Sequence, residues 1–108
     1  VLPLISVVVP VFRVATYLPE CLDSILDQSF DDIEVVAVDD SSPDECGEIL
    51  ESYAMRDPRV RVTHLARNVG LGRARGAGFA MATGEYVWFV DSDDYLTDGA
   101  LVAVAKRI

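Results

Sequence analysis

The sequence predicts an α/β fold, a parallel β-sheet flanked by helices, and three observations carry that expectation. Short β-branched apolar runs alternate with stretches of helical spacing along all 108 residues. The runs at 33–38 and 86–90 open directly into acids, Asp39-Asp40 and Asp91-Ser92-Asp93-Asp94, and the run at 5–9 meets Pro10. No repeat or low-complexity tract divides the chain, so residues 1–108 are expected to form one domain.

Each element has its own reason. Ile5-Ser6-Val7-Val8-Val9 reads as a strand buried on both faces and stopped by Pro10. Leu18, Cys21, Leu22, Ile25 and Leu26 follow helical spacing, with Pro19 tolerable in the first turn. Residues 33–38 form the second strand. Ser42-Pro43-Asp44-Glu45 then reads as a helix start, with Ser42 at the N-cap, Pro43 at N1 and Glu45 closing a capping box. That helix buries Cys46, Ile49, Leu50, Tyr53 and Ala54 and stops before Pro58.

Residues 60–65 give a third strand and 68–72 a turn. The Ala- and Gly-rich segment up to Ala82 is a helix able to lie close on a sheet, ended by Thr83-Gly84. Residues 86–90 form a fourth strand, with Trp88 and Phe89 expected in the core. A last helix begins near Thr97 or Asp98. In sheets of this kind a ligand sits beyond the carboxyl ends of the strands, where strand order reverses. An order of 3-2-1-4 would bring the bend at 10–12, Asp39-Asp40 and the acids at 91–94 over one crevice.

Composition narrows the function. A formal charge of −9 argues against nucleic acid as a partner and makes a phosphorylated ligand unwelcome without a cation or a local arginine. Two carboxylates one residue apart, Asp91 and Asp93, at the end of a strand make half of a site for a hard cation, Mn²⁺ or Mg²⁺; substrate phosphates would complete it. Cys21 and Cys46 fall at apolar helical positions and are expected to be small buried thiols. His64 is expected to be structural or on the surface, and Asp31, Asp32, Glu48 and Glu51 to form a solvated face. The chain begins with Val1 and is expected to be part of a longer protein, cytoplasmic, with membrane association left to other segments.

Val7-Val8-Val9-Pro10-Val11-Phe12, Tyr17-Leu18, Cys21-Leu22-Asp23-Ser24-Ile25-Leu26 and Gln28-Ser29 resemble the inverting family 2 glycosyltransferases of GT-A fold. Glu34-Val35 and Val38-Asp39-Asp40-Ser41-Ser42 continue the likeness. So do Asn68-Val69-Gly70-Leu71, Ala74-Arg75, Gly78 and Phe89-Val90-Asp91-Ser92-Asp93-Asp94, in the same order. One stretch departs: Gly72-Arg73-Ala74-Arg75-Gly76 stands where the family usually has Ser-Ala-Ala-Arg-Asn.

The resemblance implies a Rossmann-like nucleotide-sugar-binding portion of a glycosyltransferase, a UDP-sugar donor, and a saccharide, lipid or protein acceptor of the cell-wall or polysaccharide kind. It implies Asp91 and Asp93 as the DxD motif, Asp93 on the metal directly and Asp91 reaching ribose or, through water, the metal. Pro10, Val11 and Phe12 would wall the base, and Asp39 would accept a hydrogen bond from it. Asn68, Arg75 and Ser92 would also bind nucleotide. The general base and acceptor site are expected beyond residue 108, so no catalytic residue is expected on this chain.

Two other readings fit less well. A sugar nucleotidyltransferase would carry a Gly-rich, basic phosphate loop after the first strand, where Pro10-Val11-Phe12-Arg13 stands. A receiver-like, non-catalytic metal-binding or interaction scaffold would place an acid at the end of the third strand, which closes on Leu65.

Overall fold

The structure, a computed structural model describing residues 2–108, contains eight elements. They are β1 (Ile5–Val11), α1 (Leu18–Leu26), β2 (Ile33–Asp39), α2 (Cys46–Arg56), β3 (Val60–His64), α3 (Leu71–Met81), β4 (Tyr86–Phe89) and α4 (Ala100–Ala105). The four strands make one parallel sheet in the expected order, β3-β2-β1-β4. Among the described residues no helix is long and apolar enough to cross a membrane.

Period-two alternation along β1 and β2 sorts the core into two layers. Val7, Val9 and Val11 join Val35 and Ala37 under α1, α2 and α4, against Leu18, Leu22, Ile25, Leu50 and Leu101. Val8, Val36 and Val38 point the other way, toward Ala74 of α3. Ala74 and Gly78, one turn apart, are the buried positions of that helix, and their small size lets it lie on the sheet. Both cysteines are fully buried thiols, as expected.

Four local expectations are corrected. β1 does not stop at Pro10 but runs to Val11. Val90 N–H donates to the Val8 carbonyl, so Val8 and, two residues on, Pro10 turn their backbone groups toward β4. β4 makes its last pair with Val8, so no ladder bond awaits the N–H that proline lacks. The helix expected from Ser42 begins instead at Cys46. Ser42 is drawn toward the sheet ends, its N–H on Asp39 Oδ1 at 2.9 Å, and Asp44 Oδ1 accepts the Cys46 N–H at 3.2 Å.

The last helix starts at Ala100, after Gly99 with φ of +80°. β4 is one of the two edge strands and is not covered on both faces: Phe89 is 41% exposed, while Trp88 packs against the core.

At the opposite end of the sheet Glu34 is a buried charge that the fold satisfies. Its carboxylate accepts from Ser6 Oγ (2.5 Å), Thr83 N (2.7 Å), Thr83 Oγ1 (3.0 Å) and Arg61 Nη1 (2.9 Å). Burial alone would raise its pKa; the bonds from Ser6, Thr83 and Arg61 outweigh burial and hold it at about 2, against an ordinary 4.5. A depressed folded pKa stabilises the fold above the unfolded value, and that contribution is lost as pH falls from about 4.5 to about 2. It is on the order of 3 kcal/mol. Comparing Glu34→Gln with wild type in acid-titrated urea melts should therefore show a stability gap that closes across that window. A gap constant from pH 5 to about 2 would sink the assignment.

Candidate functional site

Beyond the carboxyl ends of β1, β2 and β4 opens a crevice of about 400 Å³. It is lined by Pro10, Val11 and Phe12 from the end of β1, by Asn68 before α3, by Leu71 and Ala74 of α3, and by Asp91, Ser92 and Asp93 after β4. Seven of the nucleotide- and metal-binding candidates thus meet in one place. The remaining two, Asp39 and Arg75, stand just outside the lining.

The wall on the β2 side is organised by Asp40 rather than Asp39. Asp40 is buried and gathers Asn68 Nδ2 (3.1 Å), Val69 N (2.8 Å) and Gly70 N (3.0 Å) onto its carboxylate. Gly70 takes φ of +91°, which only glycine adopts without strain, and so delivers its N–H while opening α3. Asp39 is equally buried, but its Oδ1 accepts Ser42 N–H and its Oδ2 meets His64 Nδ1 at 2.9 Å. Ser42 Oγ in turn donates to the Val11 carbonyl (3.4 Å) and accepts Arg13 N–H (3.3 Å). Asp39 therefore reaches the crevice wall through Ser42.

The acid-bearing loop after β4 is clamped by α1 and the turn that follows it. Ser24 Oγ accepts Leu96 N–H (2.8 Å), and Gln28 donates to the Thr97 carbonyl (2.8 Å) while accepting Leu101 N–H (3.3 Å). Cys21 Sγ donates to the Asp91 carbonyl at 3.7 Å. Sequence reasoning assigned no such role to Ser24 and Gln28. Their signal was present: two polar residues four apart, one on a helix with Cys21, Leu22 and Ile25 buried and the other just past its C-cap Asp27. Glu51, expected to be merely solvated, is also engaged, against His64 Nε2.

The electrostatics of the loop suit a cation. Burial first, then the carboxylates of Asp94, Asp93 and Asp91, push the Cys21 thiol up to about 12. Arg75 Nη2 pairs with Asp91 Oδ1 at 2.8 Å, while its Nε is buried without a partner. Arg73, two positions before it, is exposed. Among the described residues no three His, Cys, Asp or Glu side chains come together as a complete metal-binding set. Asp91 and Asp93 are hard oxygen donors in an acidic rim, so they fit a divalent ion only if a ligand's own oxygens supply the rest.

The family model for glycosyl transferase family 2 matches residues 6–108. The uncharacterized glycosyltransferase EpsJ of Bacillus subtilis (strain 168) is 49% identical over 96 residues, which is 89% of this chain and 28% of EpsJ. The crystal structure of S. aureus TarS in complex with UDP-GlcNAc aligns with a TM-score of 0.89 at 38% identity, over 95% of this chain and 30% of that one. The mannosyltransferase PcManGT from Pyrobaculum calidifontis, in complex with GDP-Man and Mn²⁺, aligns with a TM-score of 0.88 at 27% identity, over 98% of this chain and 32% of that one. This chain spans less than a third of the length of each of these proteins.

Proposed function

This chain belongs to glycosyl transferase family 2, and from that premise we propose that it binds the nucleoside diphosphate-sugar donor of a glycosyl transfer in the crevice beyond β1, β2 and β4. The observation that carries the reading is the convergence of Pro10, Val11, Phe12 and Asn68 with Asp91, Ser92 and Asp93 on that one crevice. Its apolar lining, Val11, Phe12, Leu71 and Ala74, would accept a flat base, and its Asp91-Ser92-Asp93 lining would take the diphosphate. Asp39 serves the nucleoside by holding the wall at 10–13. Uridine is the proposed base, since this chain shares more identity with the protein solved with UDP-GlcNAc, 38%, than with the one solved with GDP-Man, 27%.

Asp93 and Asp91 would hold Mn²⁺ or Mg²⁺. The ion supplies Lewis-acid neutralisation of the charge that develops on the departing diphosphate. Three lining carboxylates, Asp40, Asp91 and Asp93, would otherwise repel that diphosphate. Arg75, always protonated, lies on Asp91 and can turn a donor toward the same phosphates. In the proposed reaction the acceptor hydroxyl, on a saccharide, lipid or protein, bonds to the anomeric carbon as the bond to the diphosphate breaks, with inversion. The hydroxyl proton passes to a base that no residue of this chain is assigned to be.

Calorimetric titration of the chain with UDP, GDP and CDP, each with and without Mn²⁺, tests the reading. Metal-dependent binding of UDP in preference to the other two is expected. A folded chain that binds none of the three with Mn²⁺ present would overturn it.

A further inference from the structure

The chain has a single histidine, and it stands behind the crevice wall with each ring nitrogen against a carboxylate. His64 Nδ1 lies 2.9 Å from Asp39 Oδ2, and Nε2 lies 2.5 Å from Glu51 Oε2. An ionised carboxylate can only accept, and a neutral imidazole carries one N–H. Both contacts can be hydrogen bonds together only when the ring is an imidazolium. The bonds to Asp39 and then Glu51 raise the His64 pKa above its ordinary 6.5, against a smaller opposing effect of burial. The surroundings agree in sign: Asp39 meets the ring from the end of β2 and Glu51 from α2, and Asp44 and Glu48 line the same surface hollow as the ring.

Asp39 passes this arrangement to the crevice. Its other oxygen holds Ser42 N–H, and Ser42 Oγ bridges the Val11 carbonyl and Arg13 N–H. Arg13 and Ser41 both sit at positive φ, +54° and +58°, so the two bends this network ties together are strained and depend on their bonds. Space is matched as well: a Cβ at Gly47 of α2 would stand 3.1 Å from Asp39 Oδ2 and 3.6 Å from the His64 ring.

We infer that Glu51, His64, Asp39 and Ser42 form a proton-dependent positioning relay, which holds the bend at 10–13 in its nucleoside-receiving shape while His64 carries its second proton. This deepens the proposed function and rests on it. His64 is a positioning residue, because it touches Asp39 and not the crevice. When the ring loses a proton, one carboxylate loses its donor. Where the lost donor is Nδ1–H, Asp39 stays buried with that oxygen unpaired or turns, and the Ser42 bridge goes with it; where it is Nε2–H, the ring loses the Glu51 contact that holds it against Asp39. Nucleotide affinity is therefore full below the His64 midpoint and falls as pH rises through it.

The single ring signal makes this measurable by NMR on the chain, with UDP and Mg²⁺ as the probe. The His64 midpoint should lie above 6.5 and fall in Glu51→Gln, whose amide tolerates a neutral ring. UDP affinity should drop about fivefold or more through the midpoint. Saturating UDP should raise the midpoint in proportion, about one pH unit per tenfold, because coupling is reciprocal. In Glu51→Gln the amide can donate to Nε2 while the neutral ring keeps its N–H on Asp39, so the drop should shrink; the nucleotide's own ionisation is common to both proteins and cancels. Binding that stays level through the midpoint, or a midpoint that UDP does not move, overturns the relay. If UDP binds at no pH, the functional reading fails, and the backbone amide signals of Ser42 and Arg13 decide the relay. Titration of those amides with the His64 midpoint upholds it, and indifference overturns it.

Discussion

Replacing Asp93 by alanine is expected to abolish metal-dependent nucleotide binding while leaving the fold intact. The carboxylate is exposed at the rim of the crevice, so its loss should change stability by no more than about 0.5 kcal/mol. The binding effect has a different scale. Asp91 and Asp93 are the two carboxylates proposed to hold the ion, and losing Asp93 removes the one proposed to bind it directly. Changes to residues that merely support a metal ligand cost roughly 10–100-fold in affinity, and loss of a direct ligand should exceed that. Asp91→Ala is the less clean variant, because it also strips Arg75, whose Nε is already buried without a partner, of its carboxylate. Calorimetry with UDP and Mn²⁺, paired with a thermal melt, reads both quantities. Unchanged metal-dependent binding in Asp93→Ala would remove the metal assignment.

The second large effect concerns two glycines of one helix, for which opposite signs are expected. A Cβ at Gly78 would stand 2.4 Å from Val8 Cγ1 and 3.1 Å from Val38 Cγ2, both fully buried side chains of central strands. Val8 cannot yield without leaving its rotamer or pushing α3 off the sheet. Gly78→Ala should therefore cost about 1–3 kcal/mol from overpacking, even after the gain of about 1 kcal/mol that alanine brings to a helix interior. A Cβ at Gly76 meets nothing within 4 Å, so Gly76→Ala should keep that gain. At roughly 4–8 °C per kcal/mol, the two melting temperatures should part clearly on either side of wild type. Equal shifts of the same sign would mean that α3 does not rest on Val8 and Val38 through Gly78. Movement of α3 would also displace Ala74 and Leu71, which line the crevice, so the same contact that stabilises the fold keeps the site in shape.

The elements themselves were legible in the sequence because they report local burial. Ile5-Ser6-Val7-Val8-Val9 and the run at 33–38 could only be strands covered on both faces, and Leu18, Cys21, Leu22 and Ile25 only one face of a helix. Alternation of the two kinds implied parallel strands, and the observed order β3-β2-β1-β4 gathers their carboxyl ends as expected. From there the crevice and most of its lining followed. Misjudged boundaries share one cause. Pro10, Ser42 and Thr97 carry local signals for a strand end, a cap and a helix start, but each is claimed by a partner or a vacancy far along the chain. Pro10 is free to stay in β1 because β4 has ended, and Ser42 is held by Asp39 and Val11. The Thr97 carbonyl is taken by Gln28, with the last helix beginning three residues later.

What the sequence by itself determined, then, is the order of strands and helices, the apolar layers between them, and which end of the sheet carries the acids. A periodic pattern of apolar residues is enough for that, since burial repeats every two or every 3.6 residues. Only the tertiary structure decided how the polar groups share their work. It gave Asp40 the wall of the crevice and Asp39 the space behind it, paired Arg75 with Asp91, and set His64 between Asp39 and Glu51. It also let Ser24 of α1, and Gln28 just beyond that helix, hold the loop that carries Asp91 and Asp93. Hydrogen bonds and ion pairs of this kind join residues 13 to 72 apart in the chain, and they form where ends of different elements happen to meet. No local spacing encodes those meetings; they follow from the packing of the sheet and its helices, which is settled first by the apolar core.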